Sequence, residues 1–428
     1  MWQVSKDRQR NHCRISFVGT QRERGRGSFS GNSEPCGKRV LRKRIPTPFA
    51  FLSAKLFPRY GPGLVWLLLA FGPMVDPHQA RADRVILRDL EVITGIRVVD
   101  FNEDGLRLDD GRRISWERIE RAQVAPSQQA AFDQMLDEIG THLYRLHQRL
   151  NVGDYRGLLD HAEVLYPRYV GRDSQAAYVV FQSLMWGRLA VGQREAAVEP
   201  YVRALDVLQR RQGEPINLPG RRRLQFDPQT GLTSDLVPIW FDEPACQAAL
   251  PGVLRAIGQM AEPRPEGMRI YYGTLALKAG QWEEARRVLA GVRSEHPVLV
   301  QLLTITVAQG EVLAETSGEA LQRLEKTLDR MTPENRPLAL YWLGRSRLEA
   351  MDLHQRQQGM LQLLELPALY GQDHPELAAA GLYHTMLALG RDDDAVGQLS
   401  VRRELLNRYK QSHHARLVGQ QPTIKTNP

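Results

Sequence analysis

Two hydrophobic rhythms divide the chain. Between Asp83 and Val124, apolar and polar residues alternate over the short runs "RVILRDL", "EVITGIRVVDF", "GLRLDD" and "RRISWERI", all rich in β-branched residues. A period of two predicts half-exposed strands. Asp104-Gly105 and Asp110-Gly111 separate the runs, and Asp-Gly favours tight hairpins because both residues tolerate positive φ. In the last run Ile114 and Trp116 share one face, with Arg113 and Ser115 on the other. The pattern predicts a small curled meander over residues 83–125, packed on the helical segment after it because few strands make an inadequate core alone.

Pro126-Ser127 opens the second rhythm. Phe132, Met135, Leu136, Ile139, Leu143, Leu146 and Leu150 recur at the spacing of one helix face. From there to Tyr409 nearly every segment reads as amphipathic helix. One arrangement returns along it. "AVGQREAAVEPYVRAL" carries Gly192 at an interhelix turn, then Ala197, Tyr201 and Ala204. "KAGQWEEARRVLAGV" places Gly280, Ala285 and Leu289 alike, "ALGRDDDAVGQL" does so with Gly390, Ala395 and Leu399, and "NVGDYRGLLDHAEVLYP" is a looser copy around Gly153. Glycine accommodates the turn, and small alanines on the second helix let neighbouring helices approach.

These residues resemble the tetratricopeptide repeat, whose period is about 34 residues. Gly153 to Gly192 is 39 residues, and Gly280 to Gly390 is 110, room for two degenerate copies at Val298–Met331 and Pro337–Leu364. Gly192 to Gly280 is 88, so an insertion interrupts the series. The resemblance implies a mainly α fold, a helical-repeat solenoid preceded by a small β meander. Repeats would occupy 127–211 and 268–415, an irregular insertion 212–267 and a disordered tail 416–428. The meander resembles the SH3-like or Sm-like strand modules at the start of some bacterial envelope proteins. The ending "LLNRYKQSHHA" is similar to the closing "YP-x-S-x-x-A" of periplasmic coil-repeat proteins, with Lys410 standing where that pattern has proline.

Ahead of the meander, Leu64 to Phe71 is apolar and uncharged, preceded by Lys55 and Arg59 and followed by Ala80-Arg81-Ala82. A basic region, a short apolar run and an A-x-A site in that order predict a secretory signal over 51–82, cleaved after Ala82. The run is too short for a comfortable membrane span, which needs about 20 residues. If uncleaved, it would tether the protein at the inner membrane. Residues 1–50 are Gly/Arg-rich and polar, which predicts a disordered leader. The formal net charge of +8 belongs to this front part, since residues 1–82 hold 15 basic and 4 acidic residues and the remaining 346 hold 42 and 45. The predicted mature chain is therefore slightly acidic, and no nucleic-acid partner is expected for it. Cys13 and Cys36 fall in the leader. Cys246 alone is left, too few for an intramolecular disulfide or a cysteine metal site.

The chain contains no G-x-S-x-G, H-E-x-x-H, C-x-x-C or Walker-type loop in a suitable context, and no enzymatic activity, cofactor or metal is expected. His413-His414 are adjacent and diverge on a helix, which predicts a solvent-facing cap of the last repeat rather than a metal site. Asp392 to Asp394 read as a helix start. Long irregular segments are often functional, and the insertion sets Arg221, Arg222 and Arg223 beside Trp240 and Phe241. These five are candidate contacts for a peptide or glycan. The other expectation is that the two aromatics plug the core while the arginines stay exposed, with Cys246 and "AALPGVLRAIGQM" reading as a helix that returns to the stack. In a solenoid, first-helix residues His147, Gln182, Trp186, Thr274, Lys278 and His384 would line the groove. The function expected is an exported, secreted or periplasmic, non-enzymatic scaffold binding another envelope protein or peptide. An accessory subunit that recognises glycan or peptide through the insertion is the alternative.

Overall fold

The structure, a computed structural model, describes residues 83–211, 216, 218–314 and 318–420. The chain divides into two units, 1–76 and 77–428, and every described residue belongs to the second. The leader, the expected signal segment and its cleavage site, Cys13 and Cys36 lie outside the described residues.

The alternating runs form β1 (Asp83–Leu87), β2 (Val92–Ile96), β3 (Val98–Asn102), β4 (Gly105–Leu108), β5 (Arg113–Ile114) and β6 (Ile119–Gln123). They make two three-stranded antiparallel sheets, β2-β1-β6 and β3-β4-β5. The run "EVITGIRVVDF" is not one strand. Gly95 takes a left-handed φ of 74°, and Asp83 Oδ2 accepts the Val98 amide at 2.7 Å, so the run bends and its halves join different sheets. Both Asp-Gly positions mark hairpins, β3–β4 and β4–β5. Ile114 and Trp116 are buried while Arg113 is exposed, as the alternation requires.

The small sheets depend on the helices for a core. Trp116 and Phe101 bring their rings to 5.3 and 5.6 Å from Phe132 on α1 (Pro126–Met135). Tyr169 donates its hydroxyl to the Glu103 carbonyl, and Arg172 pairs with Glu103 and Asp104. Helix α1 continues through one π-type turn, Leu136–Gly140, into α2 (Thr141–Val152). Of the stripe read from the sequence, Phe132, Ile139, Leu143, Leu146 and Leu150 are buried.

Helix pairs come next: α2 with α3 (Leu159–Tyr169), and α4 (Gln175–Ala190) with α5 (Val198–Arg210). After the insertion comes α6 (Glu243–Gln259), then α7 (Gly267–Lys278) with α8 (Trp282–Leu289). The two degenerate segments hold α9 (Pro297–Leu313) with α10 (Glu319–Thr327), and α11 (Arg336–Leu348) with α12 (Leu353–Leu369). The last pair is α13 (Pro375–Arg391) with α14 (Ala395–Arg408), closed by α15 (His413–Gln420). Consecutive helices from α11 to α14 pack on one another, as do α3 to α5.

Gly153, Gly192 and Gly280 end their helices at φ of 73–75°, the left-handed conformation that closes a helix C-terminus. Gly390 departs from that expectation. It lies inside α13, and the left-handed residue is Asp393 at φ 58°. Asp394 makes this turn workable by capping α14, its Oδ1 accepting the Gly397 amide at 2.8 Å. Residues 243–259, within the insertion, form a regular helix as "AALPGVLRAIGQM" indicates, and one further boundary moves: residues 416–420 of the expected tail belong to α15, anchored by buried Ala415 and Val418.

The irregular stretch 218–242 runs across α4, α5 and α7. Leu236, Ile239 and Trp240 are buried. Trp240 donates Nε1–H to Thr274 Oγ1 at 2.9 Å, and the Tyr271 hydroxyl donates to the Leu236 carbonyl at 2.7 Å. The Tyr201 hydroxyl donates to the Gly231 carbonyl at 2.6 Å. Arg194 donates to the carbonyls of Val237 and Ile239. Each bond satisfies a buried group, as an irregular backbone inside a core must.

Candidate functional site

A cleft of about 460 Å³ lies where α5, α6 and α15 meet. Its floor is the first half of α6, where Ala245, Ala248, Ala249 and Gly252 succeed one another at i, i+3, i+4 and i+7. One wall is the α4–α5 turn and the start of α5, with Arg188, Glu195 and Glu199. The opposite wall is His413 and Arg416 of α15, and Glu163 stands exposed at the rim. Helix α15 reaches this place by returning across the fold. Arg416 donates to the carbonyls of Val191 and Gly192 at 2.9 and 3.0 Å, a separation of more than 220 residues.

Most of the charged groups in the cleft have partners within the fold. Four carboxylates line it: Glu163, Glu195, Glu199 and Asp242. Its two arginines are turned onto main-chain carbonyls, Arg188 onto Ala196 at 2.6 Å and Arg416 as described. Glu195 is buried and accepts the amides of Phe241 and Asp242 through Oε1. Asp242 caps α6 by accepting the Ala245 amide at 3.1 Å. Glu199 pairs with Arg203 at 3.1 Å. Carboxylates outnumber cations on the lining, so the cleft favours a positively charged guest.

Behind α15 lies a nest of imidazoles. His384 on α13 accepts Arg345 Nη1 on Nε2 at 2.8 Å, and the Tyr341 hydroxyl lies 3.3 Å from the same nitrogen. A guanidinium only donates, so Nε2 is unprotonated and the ring neutral. His414 packs its ring 4.6 Å from Phe241, 4.8 Å from Tyr383 and 5.7 Å from His384. Burial holds His384 well below the ordinary imidazole range and pushes His414 down to about 3, with His413 and Arg345 adding repulsion to the latter. Burial also lowers His413, with Asp242 and Glu195 pulling the other way. Glu376 of α13 is raised by burial and accepts the His413 amide at 3.3 Å. The expected solvent-facing histidine cap is thus corrected. His414 is 4% exposed because α15 folds back instead of ending the array in solvent.

The residues expected to line a groove are mostly closed over. Gln182, Trp186 and Thr274 are 2%, 2% and 1% exposed, the last two beneath the insertion. Trp186 donates to Asp235 at 3.2 Å and Thr274 receives Trp240. His147 is half-buried on α2, far along the chain from the rest, and burial lowers its pKa. Lys278 and His384 are brought together with the imidazole nest rather than with an open groove.

Of the insertion's candidates, Trp240 is in the core and Phe241 is half-buried between Tyr341 and His414. Arg222 is not an exposed arginine. It bonds Asp235 at 2.6 Å and lies over the rings of Tyr155 and Trp186 at 4.9 and 4.8 Å. Arg223 is exposed but donates to the Gly220 carbonyl at 2.7 Å, and Arg221 is exposed.

Glu195, Glu199, Asp242 and Arg416 do not stand out in the sequence. The spacing of Ala245, Ala248, Ala249 and Gly252 was a readable signal, whereas nothing near Arg416 announces its distant carbonyl partners.

The described residues hold no group of three or more His, Cys, Asp or Glu placed to bind a metal, and none of their helices is long and apolar enough to cross a membrane. Cys246 is buried and its thiol is pushed up by that burial, away from the reactive thiolate. No family model, curated protein or solved structure matches the chain.

Proposed function

We propose that the protein is an exported, non-enzymatic helical-repeat scaffold that holds a basic segment of another envelope protein in the α5–α6–α15 cleft. The observation that carries this is the charge of the cleft lining, four carboxylates against two arginines, with Glu163 exposed at the rim. The alanine floor supports the same reading, because small side chains leave room for the aliphatic stem of a lysine or arginine. The insertion covers Trp186 and Thr274, two of the residues a tetratricopeptide-like groove would use, whereas the cleft stays open to a guest. Export rests on the expected signal at residues 51–82.

Fluorescence anisotropy with a lysine/arginine-rich peptide and a glutamate-rich control tests the proposal. Binding of the basic peptide alone, weakened by salt and by Glu163→Gln, is the expected result. Equal affinity for both peptides, or binding unchanged by Ala248→Leu in the floor, would refute it.

A further inference from the structure

Helix α15 is one wall of the cleft, and it is seated there on a buried ring that has no counter-ion for an added proton. We infer that residues 409–420 form an acid-released latch, closed when the imidazole of His414 is neutral and opened when it is protonated. That opening alters access to the cleft rests on the proposed docking role. The latch itself does not.

The surroundings of the three rings decide the direction. From α11, Arg345 points its guanidinium at His384 Nε2, and Tyr341 lies beside it. From α7, Lys278 contributes positive charge toward all three rings, and Arg391 of α13 adds to it at His384. Tyr383 of α13 and Phe241 of the insertion cover His414 without offering a counter-ion. His414 Nδ1 is buried with no hydrogen-bond partner. Only His413 faces carboxylates, Asp242 at 3.9 Å and Glu195, with Arg416 on its own helix opposing them. Glu376 receives the His413 amide. Helix α14 also packs on α15, and its Arg408 is paired with Glu404.

A proton on His384 Nε2 would end the Arg345 hydrogen bond and set two cations 2.8 Å apart. A proton on His414 would sit among aromatic rings with only cations nearby. Releasing α15 exposes the His414 ring to water, where it titrates near 6.5, whereas His384 and Arg345 lie on α13 and α11 and stay together. His414 therefore favours the open state by about tenfold per pH unit below that value, or about 30-fold at pH 5. The elements that would part are α15 and the α4–α5 turn, joined through Arg416.

Hydrogen exchange of the full chain at pH 7.5 and pH 5.0, corrected for the intrinsic rate, is the test. Protection of residues 409–420 and 191–193 is expected to fall at pH 5.0 by about 30-fold, while α3 keeps its protection. The variant His414→Gln should lose that response. Should this variant be open at both pH values, His414→Phe decides, because an apolar ring fills the same place and takes up no proton, so it should stay closed at both. A change under about threefold in wild-type residues 409–420, or a wild-type response in His414→Phe, overturns the latch. Basic-peptide binding is measured separately at pH 7.5, so a failed cleft with an intact acid response is distinguishable from a failed latch.

Discussion

Replacing Trp240 by alanine separates a core plug from a recognition loop. Trp240 is 1% exposed, with its ring centroid 6.3 Å from Tyr271 and the Arg194 guanidinium 5.9 Å away. Its indole N–H supplies the Thr274 hydroxyl, which in turn donates to the Ile270 carbonyl at 2.7 Å. Truncation removes a large buried side chain and leaves a cavity that relaxes only in part, at a cost of about 3–5 kcal/mol. Trp240→Phe keeps most of the volume and loses one hydrogen bond, which costs about 1–2 kcal/mol. Urea unfolding at pH 7.5, followed by far-ultraviolet circular dichroism, reads both. With a slope of about 3 kcal/mol/M, the midpoint should fall by about 1–1.7 M for alanine and by less than half of that for phenylalanine. A loss below about 1 kcal/mol in Trp240→Ala would refute the packing argument, because a solvent-facing anchor costs little to remove.

Other parts of the fold give two further outcomes. Gly359→Ala should cost about 1–3 kcal/mol, because a methyl there meets the Gly344 carbonyl at 2.8 Å and forces α11 from α12. Gly280→Ala meets nothing within 4 Å and should cost only the roughly 1 kcal/mol of a left-handed backbone, so equal losses in thermal unfolding would sink the close-approach reading. For pH, the folded value of His414 is depressed below its unfolded one, so the unfolded chain takes up the proton first. Stability is complete above about pH 6.5 and falls as pH drops toward about 3, by about 2 kcal/mol at pH 5 from this ring. Urea midpoints from pH 7.5 to 5.0 should show that slope and lose it in His414→Phe; an unchanged slope would place the ring in water.

Local chemistry was legible wherever one residue type answers to one backbone need. The alternation of Val85, Leu87, Ile114 and Trp116 foretold a sheet face, and the stripe from Phe132 to Leu150 foretold a helix face. Gly153, Gly192 and Gly280 foretold turns because left-handed φ is nearly free only for glycine. The same logic misplaced Gly390, since aspartate also tolerates that conformation and Asp394 supplies the cap. The candidate site was mostly illegible. Its chemistry depends on which carboxylates and cations share a wall, and those come from α3, α5, α6 and α15.

The sequence by itself determined the mainly helical architecture, the small strand module in front of it, the interruption after α5 and the concentration of positive charge in residues 1–82. Those properties are set by periods of two and of about 3.6 residues, by turn residues and by charge counts, all of which act over a few neighbours. Only the tertiary structure decided that the insertion covers Trp186 and Thr274, that His414 is buried, and that Arg416 closes on Val191 and Gly192. Each of those depends on contacts between residues tens to hundreds of positions apart. A core position for Trp240 follows from its size, but burial of His414 comes from the packing of whole helices against one another, and no local pattern of residues encodes which distant face will cover it.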